Sequence, residues 1–304
     1  MNYTLKEINR IPKLLSRVKD YNFKFEKNKK YTFIGCGSSY NLGLIVSKIM
    51  NKFGYNSNVI SGGEVIVFDE VPKTDIAIFI SRTGESTETV QAIERFKNIK
   101  TIGITCTSNS SLTKKCTENY IFDFANEESV VMTGSFVFIL NFLLNGIEFH
   151  DYSNITILNN IKNLVDSIDL KNYNHFVFLG FNEQYGVAKE SALKVQEMAM
   201  QNVEFHEPLE YRHGPKSTLT EKSLIVIYSK DTYEERVLAN ELRNMGAKII
   251  LVSEDGDLKI KYNNGFDSIL RIILPQYIGF KKAILEGLDP DNPKNLSKSV
   301  ILKR

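Results

Sequence analysis

The sequence predicts an α/β protein of two doubly wound parallel sheets, each built from one copy of an internal repeat. Three observations carry this reading. Residues 31–40, YTFIGCGSSY, return 145 residues later as 176–185, FVFLGFNEQY; each apolar run ends on a glycine (Gly35, Gly180) with a tyrosine five residues beyond. A second echo, IAIFISR at 76–82, returns as LIVIYSK at 224–230, an offset of 148. These runs are continuously apolar rather than alternating, as strands covered on both faces require, and strands interleaved with helices make parallel sheets.

Taken in order, residues 1–28 read as a helical lead-in and 29–150 as the first domain. That domain holds strands at 31–35, 58–60, 76–82 and 101–105, with an amphipathic helix at 88–96. The polar stretch 151–172 reads as a linker carrying a helix at 157–168. The second domain, 173–285, repeats the order with strands at 176–180, 224–230 and 248–253 and a helix at 234–245. From 285 onward the pattern predicts a helix and then an extended tail, 286–304 being assigned to complete the site.

Composition excludes several classes. A hydrophobic content of 42% supports a substantial core, and a net charge of +2 spread along the chain lacks the basic face that nucleic acid demands. Cys36, Cys106 and Cys116 have no metal-ligand spacing and are an odd number, against a disulfide framework or a metal site. The N-terminus has no apolar signal core, and the apolar run 135–144 is too short to span a bilayer. The expectation is a soluble cytoplasmic protein with no membrane or nucleic-acid partner.

The strongest chemical signal is Ser81-Arg82-Thr83-Gly84-Glu85-Ser86, where a buried strand meets a helix. Three hydroxyls around a glycine at a strand end suit a phosphate group, although a single hydroxyl there would be an ordinary helix cap. Gly35-Cys36-Gly37-Ser38-Ser39 ends the first strand, but its third glycine comes late and no acid closes the second strand, which disfavours a nicotinamide cofactor. Cys36 reads as a small buried residue. On the helix 189–200, Glu190, Lys194 and Glu197 are spaced to share a face, while Ala188, Ala192, Val195 and Ala199 face the core. Alone this is a solvated charge stripe; a following loop carrying His213 raises the alternative of proton transfer. His150 and His175 read as surface or helix-end residues, His206 as a polar wall group, and Met198 and Met200 as core fillers.

Together these residues resemble the sugar isomerase (SIS) domain family, whose double-domain members carry two flavodoxin-like sheets. Six motifs lie in the family's order: Cys36-Gly37-Ser38-Ser39, the 81–86 loop, Ser129-Val130-Val131-Met132-Thr133, Glu190-Ser191-Ala192-Leu193-Lys194, His213-Gly214-Pro215-Lys216, and Asn295-Leu296-Ser297-Lys298-Ser299. The resemblance implies that Ser38, Ser39, Ser81, Thr83 and Ser86 hold a sugar phosphate, with Cys36, Gly37, Arg82, Val130 and Ser297 lining the same site. It implies that Glu197 shuttles a proton between C1 and C2, and that His213 assists ring opening, often in a neighbouring subunit's site of a homodimer. Lys194 and Lys298 match lysines at the reaction centre, and Glu190 a supporting carboxylate. No cofactor or metal is implied.

The chain departs from the amidotransferases of this family at three places. No glutamine-hydrolysing domain fits before Tyr31; Arg82 stands where a glutamine is common; and Gly134 stands where the synthase has a lysine. The expectation is therefore an SIS-type glucosamine-6-phosphate deaminase. The alternatives are an aldose/ketose phosphate isomerase, a galactosamine-6-phosphate deaminase, a sugar-amine deglycase and, outside enzymes, a phosphosugar sensor.

Overall fold

The computed structural model describes residues 2–69 and 71–302. The chain divides into two compact units, neither contiguous in sequence. The first comprises Arg10–Ser153 with Asn295–Arg304, the second Met1–Asn9 with Asn154–Lys294.

In the first unit, strands β1 (Lys30–Gly35), β2 (Asn56–Ser61), β3 (Ile76–Ile80), β4 (Lys100–Thr105) and β5 (Glu118–Ile121) form one sheet in the order β2-β1-β3-β4-β5. Every pairing is parallel. The second unit pairs β6 (His175–Gly180), β7 (Asn202–His206), β8 (Ser223–Tyr228), β9 (Lys248–Ser253) and β10 (Leu258–Lys259) as β10-β9-β8-β6-β7, the same order seen from the other edge. Register makes the repeat exact at the level of single residues. Tyr31 lies opposite Ile76 as Phe176 lies opposite Leu224, and Ile76 lies opposite Lys100 as Leu224 lies opposite Lys248. These are the two offsets the sequence displays.

The continuous apolar strands are explained by cover on both faces. In the first unit, Ile34, Ala77 and Phe79 pack with Val90, Ile93 and Phe96 on one side. On the other, Phe23 and Phe25 of the lead-in join Tyr120 and Phe142 in an edge-to-face and tilted aromatic cluster. Helix Gly134–Asn145 is buried along its whole length, as its all-round apolar sequence requires. In the second unit, Val177, Leu179, Ile225 and Ile227 pack against Leu238 and Leu242 of helix Tyr233–Asn244. Each fully buried side chain of this kind stabilises the fold by about 1.5–3 kcal/mol. Among the described residues, no helix is long and apolar enough to cross a membrane.

Three local expectations change. The helix expected at 88–96 runs Thr87–Ala92 and tightens to a 3-10 turn at Ile93–Arg95, because Phe96 leaves the helical path to stack edge-on against Phe79 (centroids 5.3 Å apart). The lead-in is helical at Tyr3–Asn9 and Ile11–Leu15 and then irregular beyond the turn Val18–Asp20. Its first helix is fastened within the second unit, where the Asp291 carboxylate accepts from the Tyr3 and Thr4 amides, both at 2.8 Å. Finally, helix Ile273–Leu285 stops where a new helix was expected to begin. Gly287 adopts φ +71°, its amide donates to Ile284 O and the Leu288 amide to Ala283 O, which closes the helix in a Schellman turn.

Both sheets turn from strand to helix in the same constrained way. A Cβ on Gly35 would lie 2.9 Å from the Ser39 backbone, and one on Gly180 would lie 2.3 Å from Gln184 O. Glycine is needed because the next helix begins on top of the strand end. Gly180→Ala is expected to cost about 3 kcal/mol or more and Gly35→Ala about 1–3 kcal/mol, since overpacking is relieved only by backbone movement. Denaturant midpoints check this; equal, negligible shifts would mean that the turns relax freely.

Candidate active site

In the first unit the loop 81–86 leaves β3 beside the end of β1, so the helix start at Ser38–Ser39 and the hydroxyl loop lie together at the carboxyl ends of these strands. Gly84 lies at φ +68°, and a Cβ there would fall 2.2 Å from Ser110 Oγ, so the loop closes only around glycine. Ser81 Oγ accepts from the Gly84 amide (3.1 Å), and Glu85 anchors the outer side by accepting from the Ser111 amide (2.8 Å) and hydroxyl (2.7 Å). Thr83 and Ser86 are half-buried, Ser38 and Ser39 buried at the strand end. Burial pushes the Cys36 thiol up, and the Glu88 carboxylate adds to this, so Cys36 stays a neutral thiol.

Arg82 occupies a different place from the one expected beside a phosphate. Its side chain is 3% exposed and turns inward: Nη1 lies 3.2 Å from Glu127 Oε2 and donates to Ser129 O (3.2 Å), while Nη2 donates to Val130 O (2.7 Å). The guanidinium therefore shapes the wall at Ser129–Val131. Glu127, which no sequence motif marked, is the hub of this arrangement. Its carboxylate also accepts from the Thr133 amide (3.0 Å) and hydroxyl (2.7 Å) and from the Ser135 hydroxyl at the start of helix Gly134–Asn145. Burial opposes its ionisation, but Arg82 and these donors outweigh burial and hold Glu127 below the usual carboxylate range.

The C-terminal tail belongs to this unit. Lys298 Nζ donates to the Glu127 carbonyl (2.9 Å), Thr83 Oγ1 and Ser299 Oγ lie 2.6 Å apart, and the Thr87 amide donates to Val300 O (3.0 Å). Ser297, whose hydroxyl donates to Ser299 O (2.8 Å), is exposed on the same strap. The expected residues Ser81, Thr83, Val130 and Lys298 are thus drawn together in one unit, and Arg82 supports them from behind.

The second unit carries the other group. Along helix Glu183–Ala199, Lys194 Nζ lies 2.6 Å from Glu197 Oε2 and 3.3 Å from Glu190 Oε1. This is not a solvated stripe: the Lys194 and Glu190 side chains are 0% and 1% exposed, and Glu197 alone reaches out, at 22%. Burial would drive the Lys194 proton off, but the two carboxylates prevail and raise its affinity, so an ammonium is locked between them. His213 is exposed on the loop after the 3-10 turn Glu210–Arg212, its amide donating to Glu210 O (2.9 Å). Both flanks of that loop are pinned by one carboxylate: Glu241 Oε2 accepts from Arg212 Nε (2.9 Å) and Oε1 from Lys216 Nζ (2.7 Å).

The other histidines and methionines partly depart from expectation. His175 is buried at the start of β6, between Ser223 Oγ (2.9 Å) and Glu204 Oε1 (3.0 Å), and His206 Nε2 lies 2.8 Å from Glu204 Oε2. Met198 is core, whereas Met200 ends the helix at φ +53° and is exposed. Among the described residues, no group of three or more His, Cys, Asp or Glu side chains could hold a metal ion.

The Arg82–Glu127 pair generates a prediction. Removing one partner, as in Glu127→Ala or Arg82→Ala, leaves a buried charge and should cost about 3–5 kcal/mol. Because the folded Glu127 pKa is depressed, its contribution is full above the ordinary carboxylate value and is lost as pH falls through that value toward the folded pKa. Urea midpoints at neutral and acid pH check both statements: the gap between wild type and Glu127→Ala should narrow on acidification. A gap independent of pH would contradict the depressed pKa.

Comparison with known proteins identifies the family and the fold. The SIS domain family model matches residues 24–144 and 169–275. The structure of glucosamine-6-phosphate deaminase from Thermotoga maritima is 34% identical with a TM-score of 0.90, covering 99% of this chain and 100% of that one. The fold is also that of tagatose-6-phosphate ketose/aldose isomerase from Escherichia coli, with a TM-score of 0.79 at 20% identity over 100% of this chain and 96% of that one. Glutamine–fructose-6-phosphate aminotransferase from Sulfolobus acidocaldarius is 25% identical over 99% of this chain and 57% of its own length, so the chain spans little more than half of that relative. With one match on each of its two parallel sheets, this chain belongs to the SIS domain family.

Proposed function

We propose that the protein is an amino-sugar-phosphate deaminase that converts glucosamine 6-phosphate and water to fructose 6-phosphate and ammonia. The observation that carries this reading is Glu197, a partly exposed carboxylate held 2.6 Å from a buried ammonium. Its support from relatives is the 34% identity, over both full chains, to an enzyme named for that reaction.

In this reading Ser38, Ser39, Ser81, Thr83 and Ser86 hold the phosphate of the substrate, with the Cys36–Gly37 turn, Val130 and Ser297 lining the site and Arg82 fixing its wall. His213 moves the O1 proton toward the ring oxygen, opening the pyranose to the amino-aldehyde. Glu197 takes the C2 proton, giving an enolamine, and returns it to C1. The product is a C2 imine; water adds at C2, the C–N bond breaks, and ammonia leaves with fructose 6-phosphate. Lys194 positions Glu197 as the base, Glu190 pairs with Lys194 from its buried side, and Lys298 offers positive charge to the oxygen that becomes anionic during enolisation.

The test follows ammonia and fructose 6-phosphate together from glucosamine 6-phosphate. Both should appear in equal amounts, and Glu197→Gln should lower kcat by about 10²–10⁴-fold. Interconversion of unaminated hexose phosphates without ammonia would reassign the chain as an isomerase, and phosphosugar binding without turnover would favour a sensor.

The same reading includes a homodimer in which His213 serves the neighbouring subunit. Mixing inactive Glu197→Gln and His213→Asn proteins under exchange should then restore about a quarter of wild-type activity, because half the dimers carry one intact site of two. No recovery, with exchange shown by a tag, would place His213 in its own chain's site.

A further inference from the structure

The second unit repeats the frame of the hydroxyl loop and fills it with its own carboxylates. With β1–β3 and β6–β8 in matching register, Ser81 and Arg82 after β3 correspond to Ser229 and Lys230 after β8. Ser38, the first residue of the helix after β1, corresponds to Glu183, the first residue of the helix after β6. The preceding residues, Gly37 and Asn182, share a backbone shape, φ +54° and ψ −127° against φ +53° and ψ −115°. Frame and position are the same; the side chains are not.

In this second loop the Ser229 hydroxyl (2.8 Å), the Lys230 amide (2.9 Å), the Thr232 amide (3.2 Å) and the Thr232 hydroxyl (2.9 Å) all converge on Glu235 Oε2. A capping box explains the contact from the Thr232 amide, since Glu235 is the third residue of helix Tyr233–Asn244 and its amide donates back to Thr232 Oγ1. It does not explain Ser229 and Lys230, which lie outside the box. Their donors point at one anionic oxygen as they would at a phosphate oxygen. Glu235 is fully buried, and its other oxygen has no hydrogen-bond partner among the described residues. Above the same loop, Lys230 Nζ lies 2.8 Å from Glu183 Oε1, which also accepts from Tyr262 OH (2.9 Å). The lysine that could attract an external anion is thereby neutralised.

We propose that this second strand-end cradle is a self-liganded anion site: Glu235 takes the position of a phosphomonoester oxygen, Glu183 closes the cradle by pairing with Lys230, and each chain therefore takes one sugar phosphate. The inference rests on the reading of the first unit's loop as the phosphate site.

Inorganic phosphate is the probe, with stoichiometry read by equilibrium dialysis and calorimetry on the full chain. Wild type should bind one phosphate per chain, and Ser81→Ala/Ser86→Ala should bind none. Adding Glu183→Ser and Glu235→Ala to that background should restore one site, which Lys230→Met should then remove. Should the variant lacking Glu235 fail to fold, Glu183→Ser alone in the same background is expected to gain weaker, Lys230-dependent binding. Two phosphates per wild-type chain, or an opened cradle that gains none, would overturn the proposal. Binding that survives Ser81→Ala/Ser86→Ala and is abolished by Lys230→Met would also overturn it. Binding that survives both substitutions counts against the first unit's loop instead, and the gain in the opened variant still decides the cradle.

Discussion

The hydroxyl loop of the first unit depends on a guanidinium that turns into the protein. Carbonyl groups of an irregular segment must find donors when buried, and Ser129 and Val130 find theirs in Arg82. A buried guanidinium in turn needs a counter-charge, and Glu127 supplies it with its remaining lone pairs filled by Thr133 and Ser135. Those donors stand at the start of helix Gly134–Asn145, where the helix dipole also favours a negative group. A buried ion pair offsets its desolvation only when every lone pair is satisfied, so helix start, acid, guanidinium and loop stand or fall together. The backbone carbonyl of the same Glu127 accepts from Lys298, which links the tail lysine to the loop through one residue.

The second unit solves a different electrostatic problem with the same economy of parts. One ammonium faces two carboxylates, Glu190 at 3.3 Å and Glu197 at 2.6 Å. Glu190 is sealed in and serves as the permanent partner of Lys194. Glu197 is the member that reaches the surface, with its side chain 22% exposed. That division follows from burial rather than from sequence spacing, which treats the two acids alike.

Much of this was legible in the sequence because glycine and apolar runs report backbone necessity. The offsets of 145 and 148 foretold strand register because both strands of each pair are locked by packing on two faces. Side-chain direction was not legible. Arg82 within a hydroxyl loop reads as a ligand contact until the buried Glu127 pulls it inward, and Glu127 itself sits in a polar run, Asn126-Glu127-Glu128, with nothing to distinguish it from its exposed neighbour. The one available hint was Thr133 with Ser135 at the start of a largely apolar helix, a donor pair that asks for an acid. His175 was misplaced for a similar reason: at the edge of a linker it reads as surface, yet parallel pairing puts it opposite Ser223 and one strand away from Glu204. Helix ends were misjudged where a tertiary contact, such as Phe96 on Phe79, outweighed helical continuation.

The two repeats also show which parts of such a unit are free to change. Gly35 and Gly180 answer to close packing of a helix start against a strand end, and Gly37 and Asn182 share a positive φ, so the frame persists in both units. The residues one step beyond Gly37 and Asn182, Ser38 and Glu183, begin the helices and differ between the units. A donor-rich edge left open invites an anion, and one with a carboxylate built in does not. On the proposed reading, the charge of a helix's first residue, together with an acid at the third position of the next helix, distinguishes the two strand ends while the backbone stays the same.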